Sequence, residues 1–278
     1  MIHIAVLMTC HNRKVQTLHC LQNLFSQQGL HHSFTLRTYL VDDGSTDGTG
    51  EAVCKNYPQV RVINGNGELY WNRGMYTAWK VAAADKCDSY LWLNDDTELY
   101  PDAIKQMLLA ASLTNYKSII CGSIESPTNK GELTYGGGSS RNNSYVGNYP
   151  NGEIEACNII NGNCVLIPYE VFLAVGNLDW RFIHAIGDND YGLRAHKKGI
   201  LSYSTGVFVA SCAKNETPPK WCMPETNFID RIKNLYSPLG YSHPVEFFIY
   251  EKRHFGLLIA LKHYCSIHLR LFIPKLWK

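Results

Sequence analysis

The stretch Tyr90-Leu91-Trp92-Leu93-Asn94-Asp95-Asp96-Thr97-Glu98 constrains the fold more than any other part of the chain. Four apolar or aromatic residues run without alternation into an acidic cluster, and Pro101 follows soon after. Such a run is the pattern of a parallel strand covered on both faces, with the proline suited to the first turn of the next helix. Ligands of these sheets bind outside the carboxyl ends of the strands, which would put Asp95 and Asp96 at the mouth of a crevice. Adjacent carboxylates repel unless a cation lies beside them, and a hard divalent ion carrying phosphate oxygens meets that need. A strand-to-helix turn capped by Asp and Thr would show the same residues, so the segment alone leaves both readings open.

The flanking sequence repeats the pattern. Residues 2–9 form a first apolar run that ends at Thr9-Cys10-His11-Asn12-Arg13, and Val15, Leu18, Leu21, Leu24 and Phe25 follow at helical spacing. A second run, 34–41, ends in Asp42-Asp43-Gly44-Ser45-Thr46-Asp47-Gly48-Thr49, where Ser, Thr or Asp can cap a helix and the glycines permit tight turns. A short strand over 60–63 precedes Asn64-Gly65-Asn66-Gly67, and Tyr70-Trp71-Asn72-Arg73-Gly74 leads into an alanine-rich helix expected over 75–84. Strand and helix alternate over about the first 120 residues, which predicts an α/β fold with a mostly parallel sheet and helices on both faces. Asp42, Asp43, Asp95 and Asp96 would then share one rim, an arrangement that suggests a metal-nucleotide site.

At 278 residues the chain suits one large domain, or one domain plus a small appendage. A net charge of +2 with 18% charged residues argues against nucleic-acid binding by bulk electrostatics. The ten cysteines include no CxxC pair and read as scattered reduced thiols. The first apolar run lacks a basic region before it and is read as a core strand rather than a signal peptide, and no apolar run is long enough to span a bilayer. A cytoplasmic protein is expected.

Residues 123–151, rich in Gly, Ser, Asn and Tyr, predict hairpins and loops beside the site rather than a packed helix or central strand. Asn161-Gly162-Asn163-Cys164-Val165-Leu166-Ile167-Pro168 opens a new strand, with a short helix over 169–175. A second chemical centre lies in His184-Ala185-Ile186-Gly187-Asp188-Asn189-Asp190, where a helix starting near Asp188 runs to Lys197-Lys198-Gly199. An acid there could serve only as an N-cap. After Pro218-Pro219 a helix is expected over 227–236. The segment 244–278 is aromatic and basic, with six Lys and Arg against Glu246 and Glu251. It is a candidate for contact with an anionic membrane surface, for packing on the core, or for a homodimer face.

Thr9-Cys10-His11-Asn12-Arg13, Val41-Asp42-Asp43-Gly44-Ser45-Thr46-Asp47, Asn72-Arg73-Gly74 and Leu93-Asn94-Asp95-Asp96-Thr97 together resemble glycosyltransferase family 2. These are inverting nucleotide-sugar transferases of the GT-A fold, and the resemblance is to a rhamnosyl- or galactosyltransferase-like bacterial branch. It implies a GT-A domain over 1–215, with a nucleotide-binding half (1–122) and an acceptor-side half (123–215), and a helical extension over 216–278. Position by position it implies that Thr9, Asn12, Arg13 and Asp43 hold the nucleotide with Asp42 in support, and that Asn72 and Arg73 meet the donor. Asp95 would touch the donor sugar or ribose, and Asp96 would bind Mn²⁺ or Mg²⁺. Asp188 would be the catalytic base with Asp190 as runner-up, and Trp71, Trp180 and His184 would lie on the acceptor side. The donor would be a UDP- or dTDP-sugar and the acceptor a glycan or lipid-linked hydroxyl, in bacterial surface polysaccharide synthesis. Peripheral attachment at the inner face of the cell membrane is the expectation only under the membrane-contact reading of 244–278, one of the three left open above.

The chain departs from the family pattern in three places. Asn94 stands where many relatives carry an acid, Gly187 replaces the usual Glu before the base, and Val209-Ala210-Ser211-Cys212-Ala213-Lys214-Asn215 has no metal-binding His. Cys212 or Asn215 would then line the diphosphate site. These departures keep open a non-catalytic nucleotide-sugar or glycan-binding subunit on the same fold. A nucleotidyltransferase and a Rossmann dehydrogenase are disfavoured because Thr9 to Arg13 contains no glycine.

Overall fold

In the computed structural model, which describes residues 1–141, 144–214 and 219–276, the unalternating apolar runs become the central strands. The first half alternates β1 (Ile2–Cys10), α1 (Lys14–Phe25), β2 (Phe34–Asp42), α2 (Thr49–Asn56), β3 (Arg61–Asn64), α3 (Tyr70–Ala82) and β4 (Ser89–Leu93). A short β5 (Glu98–Leu99), α4 (Ala103–Leu113) and β6 (Ile119–Glu125) follow. Next come β7 (Leu133–Tyr135), β8 (Gly138–Arg141), β9 (Ser144–Gly147), β10 (Glu155–Cys157), β11 (Cys164–Pro168), α5 (Tyr169–Val175), α6 (Gly187–His196) and β12 (Ser202–Ser211). The chain closes with α7 (Phe228–Leu235), α8 (Pro244–His254) and α9 (Leu257–Phe272).

The main sheet runs β10-β12-β6-β11-β4-β1-β2-β3. β1 pairs in parallel with β2 and β4, β2 with β3, and β12 with β6, while β11 lies antiparallel between β4 and β6. Register explains the shared acidic rim: Cys10 pairs with Asp42 and Leu7 with Trp92, so β1, β2 and β4 end together. The two-residue period of a strand sends Ile4, Val6, Met8, Leu91 and Leu93 into one buried layer with α1 and α4. Ala5, Leu7, Tyr90 and Trp92 enter the other, against Met75, Trp79 and Tyr191. Each large side chain buried in this way contributes about 1.5–3 kcal/mol, which is why both layers read as hydrophobic runs in the sequence.

Two expectations need correction here. β6 carries Ser123 through Glu125 fully into the sheet, so the polar middle segment begins as a central strand before turning into the β6–β7 and β8–β9 hairpins. α3 starts at Tyr70, five residues before the expected position, so Asn72-Arg73-Gly74 is its first turn. No local side chain caps it. Instead the Leu69 and Tyr70 amides donate to Asp43 Oδ2, and those of Asn72 and Arg73 donate to the Ile183 carbonyl. The orphan donors of this helix end are satisfied by groups distant in sequence, and a reading of local caps has nothing to detect.

The last helices pack around Trp221, Leu235, Ile267 and Leu271 and are tied to α6 by a buried ion cluster. Asp190 Oδ1 accepts from Arg253 Nη1 at 2.5 Å and lies 2.8 Å from His254 Nε2, while its Oδ2 accepts from Arg194 Nε at 2.8 Å. Arg253 also bonds Asp179, and Glu246 accepts from the Ile183 amide. Asp190, expected as the alternative base, is fully buried and both its oxygens are taken by Arg194, Arg253 and His254. The boundary expected near 216 lies outside the described residues, as do Asn215, Trp277 and Lys278. Removing one partner of a buried ion pair leaves the other uncompensated. Asp190→Ala is expected to lower the unfolding free energy by about 3–5 kcal/mol, read from the urea midpoint at constant m-value; an unchanged midpoint would contradict this role.

Candidate active site

The carboxyl ends of β1, β2 and β4 and the starts of α3 and α6 surround a crevice of about 670 Å³. That volume suits a small-molecule ligand. Thr9, Arg13, Asp43, Asp95 and Asp96 line one part of it, and Trp71, His184 and Asp188 another, so residues from both chemical centres of the sequence meet in one cavity.

Asp95 and Asp96 are compensated by a cation from the loop after β1. Arg13 Nη1 donates to Asp96 Oδ2 at 2.6 Å and to Asp95 Oδ1 at 3.3 Å. Asp95 is buried and also accepts from Thr17 Oγ1. Burial pushes its pKa up to about 7, with the Arg13 charge opposing the rise and the Asp96 charge adding to it. Asp96 is more open. Its Oδ1 lies 3.8 Å from the Cys212 sulfur, a thiol that burial pushes up to about 12 and so keeps protonated. A protonated thiol is a weak partner, which leaves Oδ1 available to a hard cation. Among the described residues no group of three or more His, Cys, Asp or Glu side chains could hold a metal. An ion on Asp96 fits only as one that takes its remaining ligands from phosphate oxygens and water, a common arrangement for Mg²⁺.

The opposite centre is built by a strained turn. Ile186 adopts φ 72° immediately before Gly187, a left-handed conformation that is an outlier for a β-branched residue and costs on the order of 1–3 kcal/mol. Asp188 follows in the first turn of α6, where the helix dipole favours a negative charge. Its Oδ2 accepts from the Gly162 amide at 2.9 Å and its Oδ1 from the Asn189 amide at 2.7 Å. Shielding from bulk water raises its pKa, and these amide bonds oppose the rise. A carboxylate both oriented and made more basic is suited to accept a proton. His184 also lines the cavity, with burial, and secondarily the Arg13 charge, lowering its pKa to about 4, so it is neutral at neutral pH.

The departures from the family pattern have local causes. Asn94 Oδ1 accepts from Trp71 Nε1 at 2.7 Å and so serves to hold that indole in the cavity wall. Gly187 faces the buried Asn72 side chain: a Cβ at 187 would lie 1.8 Å from Asn72 Oδ1. Asn72 occupies the space that any side chain at 187 would need, and its Nδ2 donates to the Asp179 and Phe182 carbonyls.

Several expected contacts are not brought to the cavity. Asn72 is buried behind the wall as just described, and Arg73 stacks 5.1 Å from the Trp180 ring with its Nε donating to the Trp180 carbonyl. Neither Arg73 nor Trp180 lines the crevice, because each satisfies the other outside it. Asn12 accepts from the Thr46 amide and Asp42 accepts from the Ser45 amide, so both support the rim without lining it. Asp43 does line it, but its oxygens accept from the Gly67, Leu69 and Tyr70 amides, and it acts by fixing that loop. Asn215 lies outside the described residues, while Cys212 lines the cavity as expected. Leu239 and Tyr241, from the C-terminal helices' connecting loop, complete the rim, and the Tyr241 ring stands 5.6 Å from His184. No motif marks them in the sequence. His11, whose Nδ1 meets the Asp43 carbonyl at 2.6 Å, sits in a loop already singled out and could have been included.

The sequence profile described as glycosyl transferase family 2 matches residues 5–164, more than half of the chain. The chain belongs to glycosyl transferase family 2. No curated protein sequence matches this family 2 member. Its fold is the GT-A fold, shared with a mannosyltransferase from Pyrobaculum calidifontis solved with GDP-Man and Mn²⁺. That similarity has a TM-score of 0.58 at 12% identity over 95% of this chain and 73% of the other. TarS of S. aureus is similar at TM-score 0.59 and 11% identity over 96% of this chain, which spans 49% of TarS.

The raised pKa of Asp95 makes a signed prediction. The folded state binds its proton more tightly than the unfolded state, so this carboxyl's contribution to stability falls as pH rises from about 4 to about 7. Asp95→Asn removes that slope. Between pH 5 and 8 wild type should lose about 2–3 kcal/mol relative to the variant in urea titrations; parallel stability curves would contradict the assignment.

Proposed function

We propose that this family 2 glycosyltransferase transfers a sugar from a UDP- or dTDP-sugar to a hydroxyl of a glycan or lipid-linked acceptor, with inversion at the anomeric carbon. The observation that carries the reading is that Asp96 and Asp188 line the same crevice, one on the rim of the parallel strands and the other at the start of α6. In this reading Thr9, His11 and the loop fixed by Asp43 form the nucleotide side. Arg13, half-exposed and paired with Asp95 and Asp96, brings a cation beside the diphosphate, for which its planar fork is suited. Asp96 would hold a divalent ion, Mn²⁺ or Mg²⁺, which neutralises charge on the departing nucleoside diphosphate. The Mn²⁺ and GDP-Man in the mannosyltransferase structure support this choice of cofactor class.

Asp188 takes the proton of the acceptor hydroxyl as that oxygen attacks the anomeric carbon from the side opposite the diphosphate. The Gly162 and Asn189 amides hold the carboxylate in place during the transfer. Neutral His184 and Trp71 border the acceptor position, the indole offering a flat apolar face to a sugar ring. Assembly of a bacterial surface polysaccharide is the setting we propose for this reaction.

Asp188→Asn should leave donor binding unchanged while lowering turnover about a hundredfold or more. Normal turnover would remove Asp188 as the base. Donor hydrolysis without acceptor distinguishes an enzyme from a binding subunit: wild type should release nucleoside diphosphate slowly, and donor binding with no release at all would favour the non-catalytic alternative. For Asp96→Ala, calorimetry should find the same donor affinity with and without Mn²⁺, whereas wild type binds more tightly with the ion; a Mn²⁺-dependent gain retained in the variant would exclude Asp96 as the ligand.

A further inference from the structure

α9 is apolar on two opposite faces, and the fold uses only one of them. Ile267 and Leu271 are buried against Trp221 and Leu235, and Ala260, on the same side of the helix, is buried as well. At 100° per residue, Leu258, Leu261, Cys265, Leu269 and Phe272 form a stripe on the other side. All five are exposed, Leu258 by 83% and Phe272 by 65%. Exposed Ile229 and Phe228 of α7 extend the patch, the Phe228 ring lying 5.0 Å from that of Phe272. The helix has 16 residues, about 24 Å of rise, and no helix among the described residues is long and apolar enough to cross a membrane. Its apolar stripe is therefore suited to lie along an interface rather than through one.

Charge selects the occupant. From Lys252 to Lys278 the sequence carries six Lys and Arg and no Asp or Glu, although the whole chain is close to neutral at +2. The two preceding acids are turned inward: Glu246 bonds the Ile183 amide and Glu251 pairs with His263. A second copy meeting this face in a two-fold arrangement would bring two cationic, acid-free segments together. Anionic lipid headgroups instead complement Lys262 and Lys275 while the acyl boundary takes the leucines and Phe272. We infer that the outward face of α9 docks the protein on an anionic membrane surface.

The docking face is mechanically joined to the crevice. Trp221, packed with Ile267 and Leu271 of α9, donates from Nε1 to the Gly240 carbonyl at 2.9 Å, and the adjacent Tyr241 stands on the cavity rim against His184. A lipid-linked acceptor would thus be presented to the rim by the surface that holds the protein, a consequence that rests on the proposed transfer reaction, whereas the docking does not.

Flotation with phosphatidylcholine vesicles, with and without phosphatidylglycerol, tests the docking separately from sugar transfer. Wild type should bind the phosphatidylglycerol vesicles at least about tenfold more tightly than the neutral ones and lose binding at high salt. L258E/L269E/F272E changes only exposed positions and should abolish binding with an unchanged circular-dichroism melt; K262E/K275E should weaken it selectively on anionic vesicles. Absence of wild-type binding, binding indifferent to phosphatidylglycerol, or a wild-type dimer in light scattering that the triple variant converts to monomer would each overturn the proposal.

Discussion

Bringing carboxylates to one edge of a buried parallel sheet creates a repulsion that the rest of this structure resolves. The β1–β2–β4 register aligns the strand ends, so Asp42, Asp43, Asp95 and Asp96 emerge at one level. Each is compensated differently. Asp42 and Asp43 are spent on backbone amides, Asp95 is drawn into the interior beside Thr17, and Arg13 spans Asp95 and Asp96. That leaves Asp96, the most open of the four, with one oxygen beside the protonated Cys212 thiol, and this is the acid to which we assign the metal.

The second half of the chain meets this edge through a strained connection. Ile186 holds a left-handed backbone and Gly187 yields its side-chain space to Asn72, so α6 can begin with Asp188 inside the crevice. On the far side of the same helix, Asp190 anchors Arg194, Arg253 and His254. The C-terminal helices thereby brace the segment that carries the proposed base, and their connecting loop supplies Leu239 and Tyr241 to the rim. The proposed base and the structural acid are two residues apart, and helical geometry sends one to the crevice and the other to the ion cluster.

That geometry also explains what could be read from the sequence. The strands were legible because both faces of the sheet are buried, which removes polar alternation from β4, from Ile4–Met8 of β1 and from Tyr39–Val41 of β2. The placement of Asp96 and Asp188 on one crevice was legible from an acid pair that follows β4 and an acid that opens α6. Asp190 was a weaker candidate than its motif suggested, since residues two apart on a helix point about 200° from each other. The start of α3 was hidden because Asp43 and Ile183 cap it from a distance. Arg73 and Trp180 carried chemically suitable side chains, yet their mutual stacking keeps them outside the cavity, a tertiary pairing that no spacing rule reveals.

The most direct measurement is anomalous diffraction from crystals grown with a nucleoside diphosphate sugar and Mn²⁺. One manganese peak is expected within bonding distance of Asp96, bridging to the diphosphate, with the anomeric carbon facing the Asp188 carboxylate across the crevice. A nucleotide seated away from Asp96, or a sugar whose anomeric carbon is shielded from Asp188 by the cavity wall, would contradict the assembly of one transfer site from these two acids.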